Sequence, residues 1–591
     1  MPFSQIVFPQ ALMASVKLAP ALLTGAAVMS LISLGSCSTT PQNNAANFAS
    51  TGATAQGELF GDYLAGTYAN FVDDADARSE YFTNAFEYDP KDQSLGRKAV
   101  TSALTAGDFD LAVRLASEIQ RGGSSEPMSR AVLGLRDFSD ARYTKSLKQF
   151  EGETVDLTVS ILMKLVQAWA QDGTGDPSAA RTTLSTLPGG SYFNSFGFLQ
   201  LAELELGRQN FEAAEAALAR LKAQDSDRFS SEIEMMEARI LSAKGDISGA
   251  LESLEAYSKE NGTFEIGVVP ASIAALKSGQ PLRSDFTPQQ YTARALTESA
   301  YGFFGANRAW NVAEVFLRVA IELDPDYAKA RVWLGDILAF NKRDAEAVEL
   351  FQSVDSGSPH YVSAKISEGY LNFRREQNDE GLLIFKNLYD SHPSFVTRNA
   401  LGQAYIGRED YDAALPIFEA LVERLSEDEL KQDPRVLFVR GVAYERTKNW
   451  QAAVVDFQRV LGYKPDDADT LNYLGYTWVD RGENLTKAFE MIRKAVELEP
   501  QSGAIVDSLG WAHYKLGEYE EAKVQLEKAV SLSPSSATII DHLGDVYYKL
   551  GRKREARYQW ERALDFDPTD KEINDINAKI KGGLYAVKAA P

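Results

Sequence analysis

The sequence predicts an all-α fold, a solenoid of stacked helix-turn-helix pairs, and three observations over its last hundred residues carry that prediction. Leu-Gly pairs recur at Leu474-Gly475, Leu509-Gly510 and Leu543-Gly544. Small residues follow at Ala488, Ala522 and Ala556 and again at Ala495, Ala529 and Ala563, seven residues later each time. Seven residues are two helical turns, so each alanine pair shares one face. Pro500, Pro534 and Pro568 then close each unit at a step of 34 residues. Repetition at this step builds a row of units that binds along its length, not a single catalytic pocket.

Each part of the unit has a physical reason. Gly510 sits on the first helix and Ala522 and Ala529 on the second, because two helices cross closely only where side chains are small. Leu509 and Leu526 fill the remaining gap, as do Ile492 and Trp560 in the neighbouring units. Pro534 ends the second helix, since proline lacks the amide donor and biases its predecessor away from helical geometry. One such pair cannot bury its apolar face, so neighbours must stack.

A 34-residue period of Leu-Gly, Ala, a large apolar residue, Ala and Pro resembles the tetratricopeptide repeat. Reading backwards, the pattern continues through Gly441, Tyr444, Ala453, Phe457 and Pro465, then Gly402, Tyr405, Ala414 and Phe418. Gly369, Gly381, Phe385 and Pro393 come before these, preceded by Leu334, Gly335, Ala347 and Phe351, and by Ala313, Leu317, Ala320 and Pro325. The step from Gly402 to Gly441 is 39 residues, so extra residues around Ser426 to Asp433 lengthen one turn. The array is assigned to residues 290–568, with 569–591 as a capping helix and tail.

Residues 58–264 read as degenerate repeats of the same kind. Phe82, Ala85 and Pro90 form one ending, and the run from Gly107 to Ala112 opens another second helix. Ala213, Ala214, Leu218 and Leu221 form a third, and Gly245, Asp246, Ile247, Ala250 and Leu254 a fourth, but the glycine of the first helix is mostly lost. Pro270, Gly279-Gln280-Pro281 and Thr287-Pro288 interrupt the periodicity and mark 265–289 as a boundary.

The N-terminus carries a different signal. Lys17 precedes an apolar run from Leu18 to Leu34, which ends in small residues, as a secretory signal does. The run is short for a membrane span and holds Pro20 and Gly25. Leu34-Gly35-Ser36-Cys37 resembles the lipobox of bacterial lipoproteins, whose cysteine is lipidated (palmitate) and becomes the mature N-terminus. Cys37 is the single cysteine of the chain. A retained membrane anchor and a plain cleaved signal are the alternatives, and Met13 offers a second start with a more ordinary signal than Met1. Residues 1–37 are thus the expected signal and 38–57, polar and rich in Ser, Thr, Asn and Ala, a flexible tether. Ser38 after the cysteine resembles the outer-membrane form of such lipoproteins.

Composition narrows the function. With a net charge of −22 and a pI near 4.8, the chain is ill suited to nucleic acid, whose phosphates demand clustered Lys and Arg. His360, His392, His513 and His542 are never paired at i, i+4 and none neighbours a cysteine, so no zinc site is expected. Phosphate loops, kinase signatures and nucleophile elbows are missing, so no enzyme, cofactor or small-molecule substrate is expected. His513 stands where the repeat has Tyr and reads as inter-helix packing; His542 reads as a contact to the neighbouring repeat.

The resemblance also implies where a partner would bind. In tetratricopeptide arrays the first helices line a concave groove, at positions three or four residues apart around the Leu-Gly pair. Those positions are Asn399 and Gln403, then Phe438, Val442 and Glu445, then Asn472, Tyr476 and Val479. Asp507, Trp511 and Tyr514 follow, and finally Asp541, Asp545 and Tyr548. The C-terminal stretch reads as an acidic, aromatic surface that prefers a basic or amphipathic protein segment; the alternative is that Trp511 and Tyr548 pack against the adjacent repeat or the tail. The expected protein is a non-catalytic interaction scaffold, lipid-anchored in the bacterial cell envelope, in the outer membrane and facing the periplasm, serving envelope assembly or secretion. A structural spacer, or a non-catalytic subunit of an envelope enzyme or polysaccharide-export complex, is the alternative.

Overall fold

The computed structural model describes residues 51–584 except 153, 226, 262–266 and 308–309. The expected signal, the tether up to Ser50 and lipidation at Cys37 therefore lie outside the described residues. Among the described residues every regular element is a helix, and most are joined as antiparallel pairs by short turns.

The close crossing inferred from the sequence recurs from pair to pair. A Cβ placed on Gly510 would come within 2.6 Å of Leu526, on Gly475 within 2.8 Å of Ile492, and on Gly441 within 2.8 Å of Phe457. Gly402 faces Phe418 and Gly335 faces Phe351 at similarly short range. The alanines on the second helices, Ala488, Ala495, Ala522, Ala529, Ala556 and Ala563, are all fully buried. The second helices end at Leu498, Leu532 and Ala563, ahead of Pro500, Pro534 and Pro568. One signature went unread in the N-terminal half: Gly134 precedes Phe150 by sixteen residues, the same interval as Gly510 to Leu526, and a Cβ on Gly134 would collide with that ring.

The turn inside each pair is equally regular. Seven residues after the crossing glycine the backbone is left-handed, at Gly482 (φ 71°), Gly517 (φ 84°) and Gly551 (φ 79°). The same turn is occupied by Lys342 (φ 64°), Glu409 (φ 60°) and Lys448 (φ 66°), where the Cβ is strained.

The packing divides the chain into two compact units, one ending at Ile384 and the other beginning at Phe385. In the first, the Gly/Pro segment holds the helix Val268–Lys277, and the chain beyond it returns onto earlier helices. Helix Pro288–Asn307 packs on Leu157–Gly173 and Ser191–Gly207, and Trp310–Leu323 on Gln93–Thr105. Tyr291 stacks on Trp169 at 4.3 Å, and Gln289 Nε2 donates to the Phe138 carbonyl at 2.9 Å. Tyr192 donates to the Glu298 carbonyl at 3.0 Å, and Arg343 donates to Glu314 at 2.7 Å. The pair read from the sequence as the opening of the array thus covers first helices of the N-terminal repeats.

In the second unit, the residues read as one lengthened turn form a helix, Glu427–Gln432. It is capped reciprocally by Ser426 and Glu429 and fixed by buried Leu430. Helix Asp570–Gly582 follows the last repeat, capped by Thr569 and Glu572, with Ile576 buried against Leu543, Trp560 and their neighbours.

Glu409→Gly is expected to stabilise the protein. Relief of the left-handed strain gains about 1–2 kcal/mol, and the greater freedom of the unfolded glycine returns about 0.4–1 kcal/mol of it. Gly517→Ala should cost about 1 kcal/mol by the same reasoning. Denaturant midpoints of the two variants should move in opposite directions, and a shared direction would refute the reading.

Candidate partner-binding face

Three consecutive first helices, Ala468–Arg481, Gly503–Leu516 and Ala537–Lys549, set out the candidate residues. Asp467, Ser502 and Ser536 cap them, each side-chain oxygen accepting from an amide three residues on. The fixed repeat places Asn472, Asp507 and Asp541 at one level of successive helices and Tyr476, Trp511 and Asp545 one turn further.

Exposure differs from the groove expectation. Asn472, Asp507 and Asp545 are buried, as are Phe438, Val442 and Val479, because adjacent first helices lie against one another along this face. Tyr476, Trp511, Tyr514, Asp541 and Tyr548 are half-buried, as are Asn399, Gln403 and Glu445.

Buried polar groups tie first helices to their neighbours. Asp507 pairs with His542 Nδ1 at 2.9 Å, so His542 makes the expected contact to the neighbouring repeat. Lys579 of the last helix donates to Asp541 at 2.6 Å and to Asp545 at 2.9 Å, and Trp560 Nε1 donates to Asp545 at 3.0 Å. In the first unit Ser367 donates to Asp336 across two first helices in the same way, at 2.7 Å. His513 meets Phe489 edge-on at 4.9 Å and pairs with Glu518 at 2.7 Å, in keeping with inter-helix packing.

The face is consequently less acidic than its sequence suggests, since its carboxylates already hold internal cations. Burial alone would lower the pKa of His542, but the charge and hydrogen bond of Asp507, with Asp541 and Asp545 nearby, hold it above the ordinary 6.5. Burial and repulsion from Asp541 push Asp545 from 3.8 up to about 6 despite Lys579. Burial likewise raises Tyr476 and Tyr514, so both stay neutral phenols.

What the face presents is aromatic surface. Trp511 stacks on Tyr514 at 4.7 Å and on His542 at 4.1 Å, with the Lys515 ammonium 5.5 Å from its ring centre. Tyr548 leans on Trp560 at 5.6 Å. Trp511 and Tyr548 therefore do pack within and between repeats, while each keeps part of its surface in solvent. Three buried polar atoms on this face have no hydrogen-bond partner among the described residues: Asn472 Oδ1, Trp511 Nε1 and Asp541 Oδ1. Sequence spacing located the face, but the pairing with His542 and Lys579 was hidden, since those partners lie 35 and 38 residues downstream. No group of residues able to hold a metal ion is found among the described residues.

A stacked row of helix pairs with a shared first-helix face defines a repeat scaffold of the protein-interaction class. A TPR repeat family model matches residues 510–551, and tetratricopeptide repeat models match 313–362, 399–461 and 537–570. Tetratricopeptide repeats thus occupy residues 313–362, 399–461 and 510–570 of the chain. A TPR repeat-containing protein of Pseudomonas aeruginosa is 28% identical over 190 residues, covering 32% of this chain and 32% of that protein. The CTR9 homolog of Arabidopsis thaliana is 25% identical over 211 residues, 33% of this chain and 18% of that protein. The chain thus spans about a third or less of these relatives' own lengths. Among solved structures, the Cut9-Hcn1 hetero-tetramer of the APC/C aligns at 13% identity and a TM-score of 0.37 over 90% of this chain and 97% of that one. A tetratricopeptide repeat protein from Parabacteroides merdae aligns at 16% identity and a TM-score of 0.33 over 49% of this chain and 97% of that one.

The internal pairs give the C-terminal repeats a pH dependence of definite sign. A raised His542 contributes stability that is complete below about 6.5 and is lost as pH rises through its folded value. Asp545, raised to about 6, acts in the same sense: its contribution is complete below 3.8 and is lost as pH rises through about 6. Lys579, raised above 10.5, does not change across that window. Stability of these repeats should therefore fall from pH 5 to pH 8, and His542→Gln should flatten the slope. Thermal unfolding at several pH values checks this; equal slopes in the two proteins would contradict it.

Proposed function

We propose that this chain is a non-catalytic scaffold that holds an amphipathic segment of a partner protein along its C-terminal first helices. The observation that carries the proposal is the run of half-buried rings, Tyr476, Trp511, Tyr514 and Tyr548, across three consecutive first helices. These rings supply apolar contact area at low entropic cost. Partner proteins are what repeats of this family bind, which supports the class of ligand.

The scaffold is proposed to sit in the bacterial cell envelope, lipid-anchored through Cys37 to the outer membrane and facing the periplasm, where it positions clients for assembly or secretion. The support is the Leu34-Gly35-Ser36-Cys37 ending of the apolar run and the polar stretch behind it. Several acyl chains on one residue anchor stably, whereas one chain gives only reversible attachment. Cys37→Ala is expected to leave the precursor unprocessed or shift the protein to the soluble fraction. Unchanged processing and membrane association would remove the anchor from the account.

A photo-reactive phenylalanine analogue at Trp511 should form a discrete cross-linked adduct in intact cells. The same analogue at Val524, exposed on a second helix, should form none. Equal adducts at both sites, or none at Trp511, would refute the assignment of the face.

A further inference from the structure

Helix Thr51–Phe71 turns one face to its own repeat and leaves another bare. On the packed side, Ala69 is buried, Tyr63 meets the Phe82 ring edge-on at 6.1 Å, and a Cβ on Gly66 would lie 3.0 Å from Phe82. These contacts fix the rotation of the helix. Gly57, Gly61, Leu64 and Tyr68 then fall at i, i+4, i+7 and i+11, along one line on the opposite side. A Cβ on Gly57 or Gly61 meets no atom within 4 Å. Leu64 is 55% exposed and Tyr68 67%, flanked by Phe60 at 65% and Phe71 at 76%. Four large apolar side chains this exposed within twelve residues form a continuous patch, which soluble surfaces seldom leave uncovered.

The patch is complementary to itself. Its first half is flat, with two glycines, and its second half is bulky, with leucine and tyrosine. Rotating a copy by 180° about a point between Asp62 and Tyr63 gives an antiparallel helix. That rotation sets Gly57 opposite Tyr68 and Gly61 opposite Leu64, because both pairs are centred on the same point. Each bulky residue then meets a glycine, the arrangement that lets helix axes approach closely. Charge points the same way: from Gly57 to Val72 the only ionisable acids or bases are Glu58, Asp62 and the phenols, with no Lys or Arg to seek an anionic bilayer.

We propose that a second copy of this chain covers the face, forming an isologous antiparallel helix pair centred between Asp62 and Tyr63. Aromatic side chains bury about 150–250 Å² each, so four large residues about two-thirds exposed remove roughly 500 Å² per copy. The total of about 1,000 Å² reaches the lower end of specific interfaces, as a reversible dimer requires.

The test is the molar mass of the full chain in neutral detergent at micromolar concentration, with bismaleimide cross-linking in membranes as an independent readout. Wild type should show twice the monomer mass, and Leu64→Cys should cross-link to itself where Glu80→Cys, exposed on the next helix, does not. Leu64→Asp should weaken association at least tenfold with helicity and melting unchanged. Gly57→Tyr should do the same by collision, and the exchange Gly57→Tyr with Tyr68→Gly should restore the dimer. A monomeric wild type overturns the proposal, whether its patch is shielded by residues 1–50 or inserts into phosphatidylcholine vesicles. A dimer indifferent to Leu64→Asp overturns it as well.

Discussion

Everything in this protein depends on how closely two helices can cross. In the C-terminal repeats a first-helix glycine lets a large side chain, sixteen or seventeen residues later, lie directly against the backbone, as Leu526 does at Gly510 and Ile492 at Gly475. That contact sets the distance between the helices, and the buried alanines keep the next pair equally close. A Cβ on any of these glycines would collide with the facing side chain, and a pair forced apart would pass the error to its neighbours. The left-handed turn seven residues on completes the geometry, because it reverses the chain at a fixed distance from the crossing.

Much of this was legible in the sequence because it is local. Glycine, alanine and proline at fixed intervals report the crossing, the shared face and the helix end without any knowledge of tertiary structure. The interval of sixteen residues, with the Leu133-Gly134 pair, would also have revealed Gly134 and Phe150, where the closing Pro marker is absent and the periodicity alone looked degenerate. The return of helices 288–323 onto 93–207 was not legible, since the residues that make it, such as Gln289 with Phe138 and Tyr291 with Trp169, are more than a hundred positions apart. Nor could spacing tell that Asp507, Asp541 and Asp545 hold His542 and Lys579. Burial of a carboxylate is decided by the next helix, not by its own.

These internal pairs change how the face works. An acidic groove would attract basic partners broadly and weakly, and salt would screen it. Here Asp507 ties one first helix to the next through His542, and Asp541 and Asp545 hold Lys579 of the last helix, so the surface left in solvent is mainly aromatic. Within the first unit the equivalent faces of helices 93–207 are occupied by the chain's own helices 288–323. Similar repeats thus serve one unit for internal packing and leave the other with a half-buried aromatic face.

Hydrogen exchange of the full chain, free and cross-linked to the partner captured at position 511, tests this division most directly. The account predicts new protection confined to helices 468–481, 503–516 and 537–549, with helices 93–207 unchanged because they are already covered. Protection spread over the second helices, or appearing first in the N-terminal unit, would contradict it.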